Sequence, residues 1–255
     1  IYALAEAAYG SATACTQRAQ ARLSELGVEA DYTELMGVDT RLSANDLMAL
    51  GRALMQSPAF TAYSSLFYDG INHVDGRATE LASSNRLLKT SVGCKGVATG
   101  SSASAGYCGV FSVTRGGAAW ICVVIGAPNA SSRSEAASDL IDYGFAAYEV
   151  KALARAEQVL IESMPVLGAR RSSVALVAGQ DAVLLLPKGT GHEAQWELPE
   201  NLTAPLEAGE AVGLVRYMDD AGEELCSVEL LVAEAVPQAK VADYAALVLV
   251  CWVHG

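Results

Sequence analysis

Three short apolar runs separated by glycine-rich turns occupy the middle of the chain and constrain its fold more than any other feature. The runs cover residues 93–99, 106–114 and 118–126. Apolar segments of this length between turn residues are typical of β-strands, and the Gly116-Gly117 pair is typical of a tight hairpin turn. The sequence therefore predicts an antiparallel meander in this region.

Helical patterns precede the predicted strands. From residue 1 to about residue 62, apolar residues recur at the spacing of amphipathic helices. One helix is expected to end at Gly27, because glycine commonly follows the last turn of a helix. Another is expected to begin after Ser43, whose hydroxyl can cap the first free backbone amides.

The regions on either side of the meander decide the fold class. Residues 63–90 are mixed, with turns predicted at Asp69-Gly70 and Asp75-Gly76. After the strands, a polar start at residues 131–135 leads into a helix predicted over residues 136–151. Helices followed by consecutive strands favour an α+β fold over alternating β-α-β units.

A change of pattern beyond about residue 157 predicts a second domain. Short apolar runs with turn residues between them recur there, over residues 173–177, 182–186, 211–217 and 225–233. This spacing is typical of a small all-β, sandwich-like domain. The predicted organisation is a first domain over residues 1–157, an all-β domain over residues 158–237, and a terminal segment over residues 238–255.

Composition and charge exclude several classes of protein. Apolar residues make up 52% of the chain, which is too many for a disordered protein. The 29 acidic residues against 17 basic ones give a net charge of −12. A nucleic-acid partner is therefore not expected, because such a protein needs a basic face to neutralise phosphates. A polybasic membrane-surface protein is excluded for the same reason.

Both ends of the sequence suggest a piece of a longer protein. The chain begins at Ile1 without a methionine, and residues 244–253 are apolar. As a helix, these ten residues rise about 15 Å, half the hydrocarbon thickness of a bilayer. We expect residues 238–255 to be the start of a C-terminal helix or membrane anchor. The alternatives are a buried terminal helix and an apolar tail that does not enter a bilayer.

The histidines and cysteines form no recognisable metal-binding pattern. The three histidines lie far apart, without His-x-x-x-His or Cys-x-x-Cys spacing, so a metal site is not expected. In the predicted meander, Cys94 and Cys122 lie opposite Phe111 from its two sides. Two strand spacings, about 9.6 Å, exceed the reach of a disulfide, so the cysteines are expected to be buried free thiols.

The segment from Asn85 to Val150 carries a specific series of motifs. It contains Asn85-Arg86-Leu87-Leu88, Lys95-Gly96-Val97-Ala98-Thr99-Gly100-Ser101-Ser102, Ala105-Gly106-Tyr107, Arg133-Ser134-Glu135-Ala136 and Tyr143-Gly144-Phe145. The series resembles the D-alanyl-D-alanine carboxypeptidases, the low-molecular-mass penicillin-binding proteins, in which the central strand reads Asp-Gly-Leu-Lys-Thr-Gly-x-Thr. Order and spacing agree across the segment. Similar stretches before and after it extend the resemblance to about residues 1–237.

This resemblance implies a fold and an activity. Residues 1–157 are expected to form part of a serine β-lactamase/transpeptidase-like domain. Members of the family trim the terminal D-alanine from peptidoglycan stem peptides ending in D-Ala-D-Ala, through a serine acyl-enzyme that β-lactams also form. They need no metal or organic cofactor and work outside the cytoplasmic membrane. Peptidoglycan and β-lactams are therefore the expected partners, together with the membrane through the C-terminal segment.

The chain departs from the family pattern at the nucleophile. The family uses a Ser-x-x-Lys motif, in which the lysine lowers the cost of deprotonating the serine. None of the five lysines in this sequence has a serine three residues before it. Ser43-Ala44-Asn45 spells the family's Ser-x-Asn motif, but its place in the chain indicates a helix cap instead. No catalytic residue is therefore assigned within this chain.

The family's Lys-Thr-Gly motif is altered to Ala98-Thr99-Gly100. The change removes the ammonium expected to bind the substrate's terminal carboxylate. Strand alternation predicts that Lys95 points to the opposite face and cannot take over. The resemblance assigns substrate binding to residues 98–100, Ser102 and Arg133. The alternative for Arg133 is an exposed charge in the first turn of a helix.

Two other functions remain open at this point. The protein could be a non-catalytic homologue that binds cell-wall peptide, a possibility that Ala98 favours. It could also be a scaffold whose β domain is an interaction surface. A Ser-x-x-Lys motif in the upstream reading frame would favour the enzyme over the non-catalytic homologue, and its absence would favour the homologue.

Overall fold

Helices fill most of the first 64 residues, as predicted. The computed structural model describes residues 1–38, 40–241 and 243. The helices are α1 (Tyr2–Tyr9), α2 (Ala12–Glu25), α3 (Ala44–Met55) and α4 (Pro58–Ser64). The backbone amide of Asp46 donates to the Ser43 hydroxyl, and the Asp46 carboxylate accepts from the Ser43 amide. This reciprocal capping box confirms that Ser43 begins a helix. Gly27 follows α2 in the left-handed conformation expected of it, at φ +70°.

The predicted meander is confirmed. Strands β3 (Cys94–Ser102), β4 (Gly106–Arg115) and β5 (Ala118–Ala127) form an antiparallel sheet in the order β3-β4-β5. Phe111 and Val113 of β4 are fully buried on one face, against the helix α6 (Ala130–Ala147). The opposite face of β4 meets α3, and a methyl group at Gly51 would lie 2.9 Å from a methyl carbon of Val110. The sheet is therefore covered by helices on both faces.

The segment between α4 and β3 differs from its prediction. Strands β1 (Tyr68–Asn72) and β2 (Ala78–Ala82) form an antiparallel hairpin, and α5 (Leu87–Thr90) follows them. Asp69-Gly70 lies inside β1, so the turn predicted there is wrong. The chain reverses only at the second predicted turn, where the His73 amide donates to the Arg77 carbonyl oxygen.

The helix after the meander begins and ends earlier than the prediction of residues 136–151. Residues 148–151 belong instead to β6 (Tyr148–Ala154), which pairs with β9 (Ala182–Pro187). The chain accordingly divides between residues 147 and 148, before the predicted boundary at residue 157. A partner strand more than 30 residues away decides this conformation, which local helical spacing does not reveal.

The second unit is built from strands that the apolar runs largely predict. Its further strands are β7 (Val159–Leu167), β8 (Ser173–Ala178), β10 (Glu193–Glu197), β11 (Leu202–Thr203), β12 (Ala211–Met218) and β13 (Glu224–Val232). In the described chain they form one sheet in the order β10-β12-β13-β8-β7-β11. Leu176, Val215 and Leu230 are fully buried in a core that also includes residues of β6 and β9. The unit is thus an all-β, sandwich-like domain.

The register of the meander corrects the cysteine prediction. Cys122 lies opposite Phe111 as expected, but Val97 faces Phe111 from the other side and Cys94 faces Val113. The five cysteines among the described residues are free thiols, as predicted, but only Cys122 is buried. Burial raises the pKa of the Cys122 thiol to about 11.

The terminal segment falls mostly outside the described residues. Within the described chain, no helix is both long and apolar enough to cross a membrane. Residues 244–253 lie outside the described residues, so their expected role as a membrane anchor stays a prediction.

Candidate functional site

The strand that carries the altered Lys-Thr-Gly motif lies at an edge of its sheet. Among the described strands only β4 pairs with β3, through Ala98 opposite Val110 and Thr99 opposite Gly109. The start of the other edge is covered, since the Lys95 carbonyl oxygen accepts from Ser64 and Gly96 is buried, whereas Ala98 and residues 100–102 are exposed along an edge that pairs with no described strand. Edge strands bind peptides through main-chain hydrogen bonds.

The candidate residues of β3 divide between the two faces of the strand. Ala98, Gly100 and Ser102 alternate with Thr99, so their side-chain positions lie on the opposite face from the Thr99 hydroxyl. Ala98 is exposed, and Thr99 is half-buried. The Ser102 hydroxyl accepts a hydrogen bond from the Ala105 amide at 3.0 Å, so it also stabilises the turn between β3 and β4.

Lys95 does not follow the simple alternation that its prediction assumed. The pairing of β3 with β4 shifts between Cys94 and Gly96, which makes Lys95 the extra residue of a β-bulge. The alternation of side chains between the two faces of a strand is not preserved across a bulge. It therefore does not require Lys95 to point away from the face of Ala98. The Lys95 side chain is exposed, and its carbonyl oxygen accepts a hydrogen bond from the Ser64 hydroxyl at 2.8 Å.

Ser84 joins the candidate site, although the sequence motifs do not indicate it. Its hydroxyl oxygen lies 2.7 Å from the Thr99 hydroxyl oxygen, which makes a hydrogen bond in which either group can donate. Ser84 is exposed and lies 15 residues before Thr99 in the chain. The available signal was its place directly before Asn85, the first residue of the family-like motif.

Arg133 is buried, which rules out the exposed charge considered from the sequence. Only 3% of the residue is accessible to solvent. Its Nη1 donates to the Cys108 carbonyl oxygen and its Nη2 donates to the Ser84 carbonyl oxygen, both at 3.3 Å. The guanidinium group therefore connects α6, β4 and the segment before α5, and it binds the backbone of the residue whose hydroxyl group contacts Thr99.

The environment of Arg133 is short of negative charge. Burial lowers the pKa of its guanidinium group, and nearby Arg86 lowers it further, whereas Cys108 and Tyr107 raise it. The group remains protonated, because arginine loses its proton only in strongly basic solution.

Gly109 explains how an arginine fits beneath the sheet. A methyl group at Gly109 would lie 2.5 Å from the Phe111 ring and 3.2 Å from Cδ of Arg133. The missing side chain opposite Thr99 therefore leaves the space that Arg133 occupies.

A small cavity borders the same strand. It has a volume of about 300 Å³ and is lined in part by Val97, Ser83, Tyr63 and Tyr68. Its two tyrosine rings are mostly exposed. A larger cavity, of about 540 Å³, lies between α2 and residues 32–35 and includes none of the candidate residues. Within the described residues, His, Cys, Asp and Glu side chains form no group of three that could hold a metal ion.

Comparison with known proteins identifies both parts of the chain. Residues 1–129 match the sequence model of the D-alanyl-D-alanine carboxypeptidase family. Residues 148–238 match the model of the C-terminal domain of penicillin-binding protein 5. The second match begins at residue 148, where the second structural unit begins, and the first lies wholly within the first unit.

Individual relatives agree with these matches. The D-alanyl-D-alanine carboxypeptidase DacF of Bacillus subtilis is 24% identical over 244 residues, which cover 93% of this chain and 62% of the relative. DacA of Haemophilus influenzae is 34% identical over 163 residues, covering 62% of this chain and 41% of the relative. The chain therefore spans less than two thirds of the length of either protein.

Solved structures support the fold. Penicillin-binding protein 5 of Haemophilus influenzae superposes with a TM-score of 0.65 at 27% identity, over 93% of this chain and 70% of that one. The PBP3 peptidoglycan synthesis regulatory factor of Streptococcus pneumoniae gives a TM-score of 0.64 at 23% identity, over 92% and 73% of the two chains. The described chain has the corresponding architecture, a penicillin-binding type of domain followed by a β domain.

Proposed function

Because this chain belongs to the D-alanyl-D-alanine carboxypeptidase family of low-molecular-mass serine penicillin-binding proteins, we propose that the full-length gene product trims peptidoglycan stem peptides that end in D-Ala-D-Ala. The observation that carries this proposal is the placement of Thr99-Gly100 on a strand, β3, that among the described strands pairs only with β4. The hydroxyl group of Ser84 and the buried charge of Arg133 adjoin this strand.

In the proposed mechanism this chain supplies the substrate-binding strand. The extended stem peptide pairs with the free backbone groups of β3, which fixes the direction in which the peptide lies. The Thr99 hydroxyl donates a hydrogen bond to the terminal carboxylate, and the charge of Arg133 favours that anion from beneath. An activated serine then attacks the penultimate D-alanine carbonyl and releases the terminal D-alanine, and water hydrolyses the acyl-enzyme.

We propose that the nucleophile lies outside residues 1–255. These residues contain no Ser-x-x-Lys motif, and the chain covers 62% or less of the two curated relatives described above. The proposal therefore treats the chain as the C-terminal part of the peptidase domain together with the β domain. β-Lactams are proposed to acylate the same serine in the full-length product.

A second candidate function is supported by Ala98. Since alanine stands where the family has the lysine of its Lys-Thr-Gly motif, the protein could bind cell-wall peptide without cleaving it. A scaffold protein that uses the β domain as its interaction surface is a further form of this alternative. The upstream reading frame decides between these functions, because an enzyme of this family requires Ser-x-x-Lys there.

Residues 1–255 alone should form no covalent adduct with penicillin. The reason is that none of the lysines in this sequence is placed to activate a serine three residues before it. The test is incubation with labelled penicillin, followed by denaturation and measurement of the bound label, with the full-length gene product treated in parallel. A stoichiometric label that survives denaturation on residues 1–255 would contradict this expectation.

We also propose that the protein works on the cell-wall side of the cytoplasmic membrane and is held there by its C-terminal segment. The support is the family membership and the apolar run over residues 244–253. The full-length product should sediment with membranes, and removal of residues 244–253 together with everything after them should release it. A product that stays soluble with this segment intact would rule out the anchor.

A further inference from the structure

Ser84 and Thr99 form a pair of hydroxyl groups at the exposed edge of β3. Their oxygen atoms are 2.7 Å apart, which is an ordinary hydrogen-bond distance between hydroxyl groups. Each hydroxyl group has one proton to donate. When Ser84 donates to Thr99, the proton of Thr99 is free for a ligand, and one of the two acceptor positions of the Thr99 oxygen is occupied.

The backbone around Ser84 is held in place by buried groups. Its carbonyl oxygen accepts a hydrogen bond from Nη2 of Arg133, which itself is 3% exposed. The next residue, Asn85, is 4% exposed, and its side-chain oxygen accepts from the Leu87 amide at 3.1 Å. Ser84 is therefore an exposed side chain on a fixed backbone, which is the arrangement expected of a residue that orients another group.

The charges around the pair favour an anion. Nη2 of Arg133 donates to the Ser84 carbonyl oxygen, and Arg86, two residues after Ser84, is exposed. A carboxylate is an acceptor with no proton to donate in its ionised form, so it needs hydrogen-bond donors as partners. A hydroxyl donor next to the contact between Arg133 and Ser84 matches that requirement.

We propose that Ser84 is a positioning residue for substrate recognition, because it directs the Thr99 hydroxyl to donate to the terminal carboxylate of the bound peptide. This inference rests on the proposed function, which supplies the peptide. It makes Ser84 a determinant of specificity for the free acid. A peptide with an amidated terminus depends less on Ser84, since the amide offers a donor as well as an acceptor to Thr99.

The test measures equilibrium binding and steady-state kinetics on the full-length gene product. The probes are an N-acetylated peptide that ends in D-Ala-D-Ala and the same peptide with an amidated terminus. Ser84→Ala removes the orienting hydroxyl and Ser84→Thr keeps one. Ser24→Ala, which removes an exposed serine hydroxyl from α2, serves as the matched control.

Ser84→Ala should weaken binding of the free acid about five- to ten-fold, the effect of one hydrogen bond to a charged or polar partner. The amidated peptide should lose less than two-fold, and Ser84→Thr should recover most of the affinity for the acid. In the kinetics the loss should appear in KM rather than in kcat. The acid-to-amide ratio separates this role from general damage to the fold, which would weaken both peptides together.

Other outcomes would overturn the inference in distinguishable ways. If the unaltered protein binds both peptides and Ser84→Ala changes neither, or changes both equally, Ser84 does not position the carboxylate, while the proposed function stands. If the unaltered protein binds neither peptide, the proposed function fails, and the role of Ser84 fails with it.

Discussion

Replacing Ala98 by lysine in the full-length gene product should raise kcat/KM for a peptide ending in D-Ala-D-Ala about ten- to a hundred-fold. The substitution restores an ammonium group at an exposed position on the strand that is proposed to bind the substrate. A charge-assisted hydrogen bond to a carboxylate contributes about 1.5–3 kcal/mol, which corresponds to that range. Steady-state kinetics with the free-acid peptide measure the effect.

Two controls separate charge from bulk in this experiment. Ala98→Met adds a side chain of similar length without the charge, and it should not produce the gain. The amidated peptide should gain much less from Ala98→Lys, because the carboxylate is the partner being restored. If Ala98→Lys changes neither peptide, either Arg133 already compensates for the missing charge or the protein is not an enzyme. Arg133→Ala then distinguishes these cases, since only the first leaves activity to lose.

Replacing Gly96 by alanine should destabilise the first unit by about 3 kcal/mol or more. Gly96 has a φ of +84°, a conformation that is strained for residues with a side chain. A methyl group there would lie 2.1 Å from the Ser64 carbonyl oxygen, which is backbone and cannot move aside without shifting α4. The costs of backbone strain and of steric overlap therefore add. Denaturant unfolding of residues 1–255 measures the resulting decrease in the free energy of unfolding.

Gly100→Ala is the matched control on the same strand. A methyl group at Gly100 would meet no atom of the described residues within 4 Å. Gly100→Ala should therefore change the free energy of unfolding by less than about 1 kcal/mol, as is usual for substitutions at exposed positions. Equal stability of the two variants would contradict the close approach of β3 to α4.

Elements with local signals could be predicted from the sequence. The caps at Ser43 and Gly27 depend on side-chain hydrogen bonding and backbone freedom within a few residues. The three strands of the meander likewise follow from apolar runs and a glycine-rich turn. The family-like motifs also assigned both Thr99 and Arg133 to substrate binding. They did not show how the two side chains are arranged in three dimensions.

The features that were missed depend on contacts distant in sequence. The bulge between Cys94 and Gly96 is in contact with Ser64, which lies 31 residues before Lys95. The burial of Arg133 requires the space that Gly109 leaves on another strand. Ser84 became visible as a candidate only through its hydrogen bond to Thr99. Propensity and spacing carry no information about such contacts.

The hydrogen bonds of Arg133 have a consequence for the conditions under which the site keeps its shape. Its Nη atoms bind the carbonyl oxygens of Ser84 and Cys108, which do not titrate, and burial shields these contacts from dissolved ions. The ion pairs of Arg216 with Glu197 and Glu224, in contrast, are substantially exposed. Dissolved salt screens such exposed pairs. The attachment of Ser84 to β4 should therefore persist at high ionic strength, where such surface pairs on the β domain are weakened.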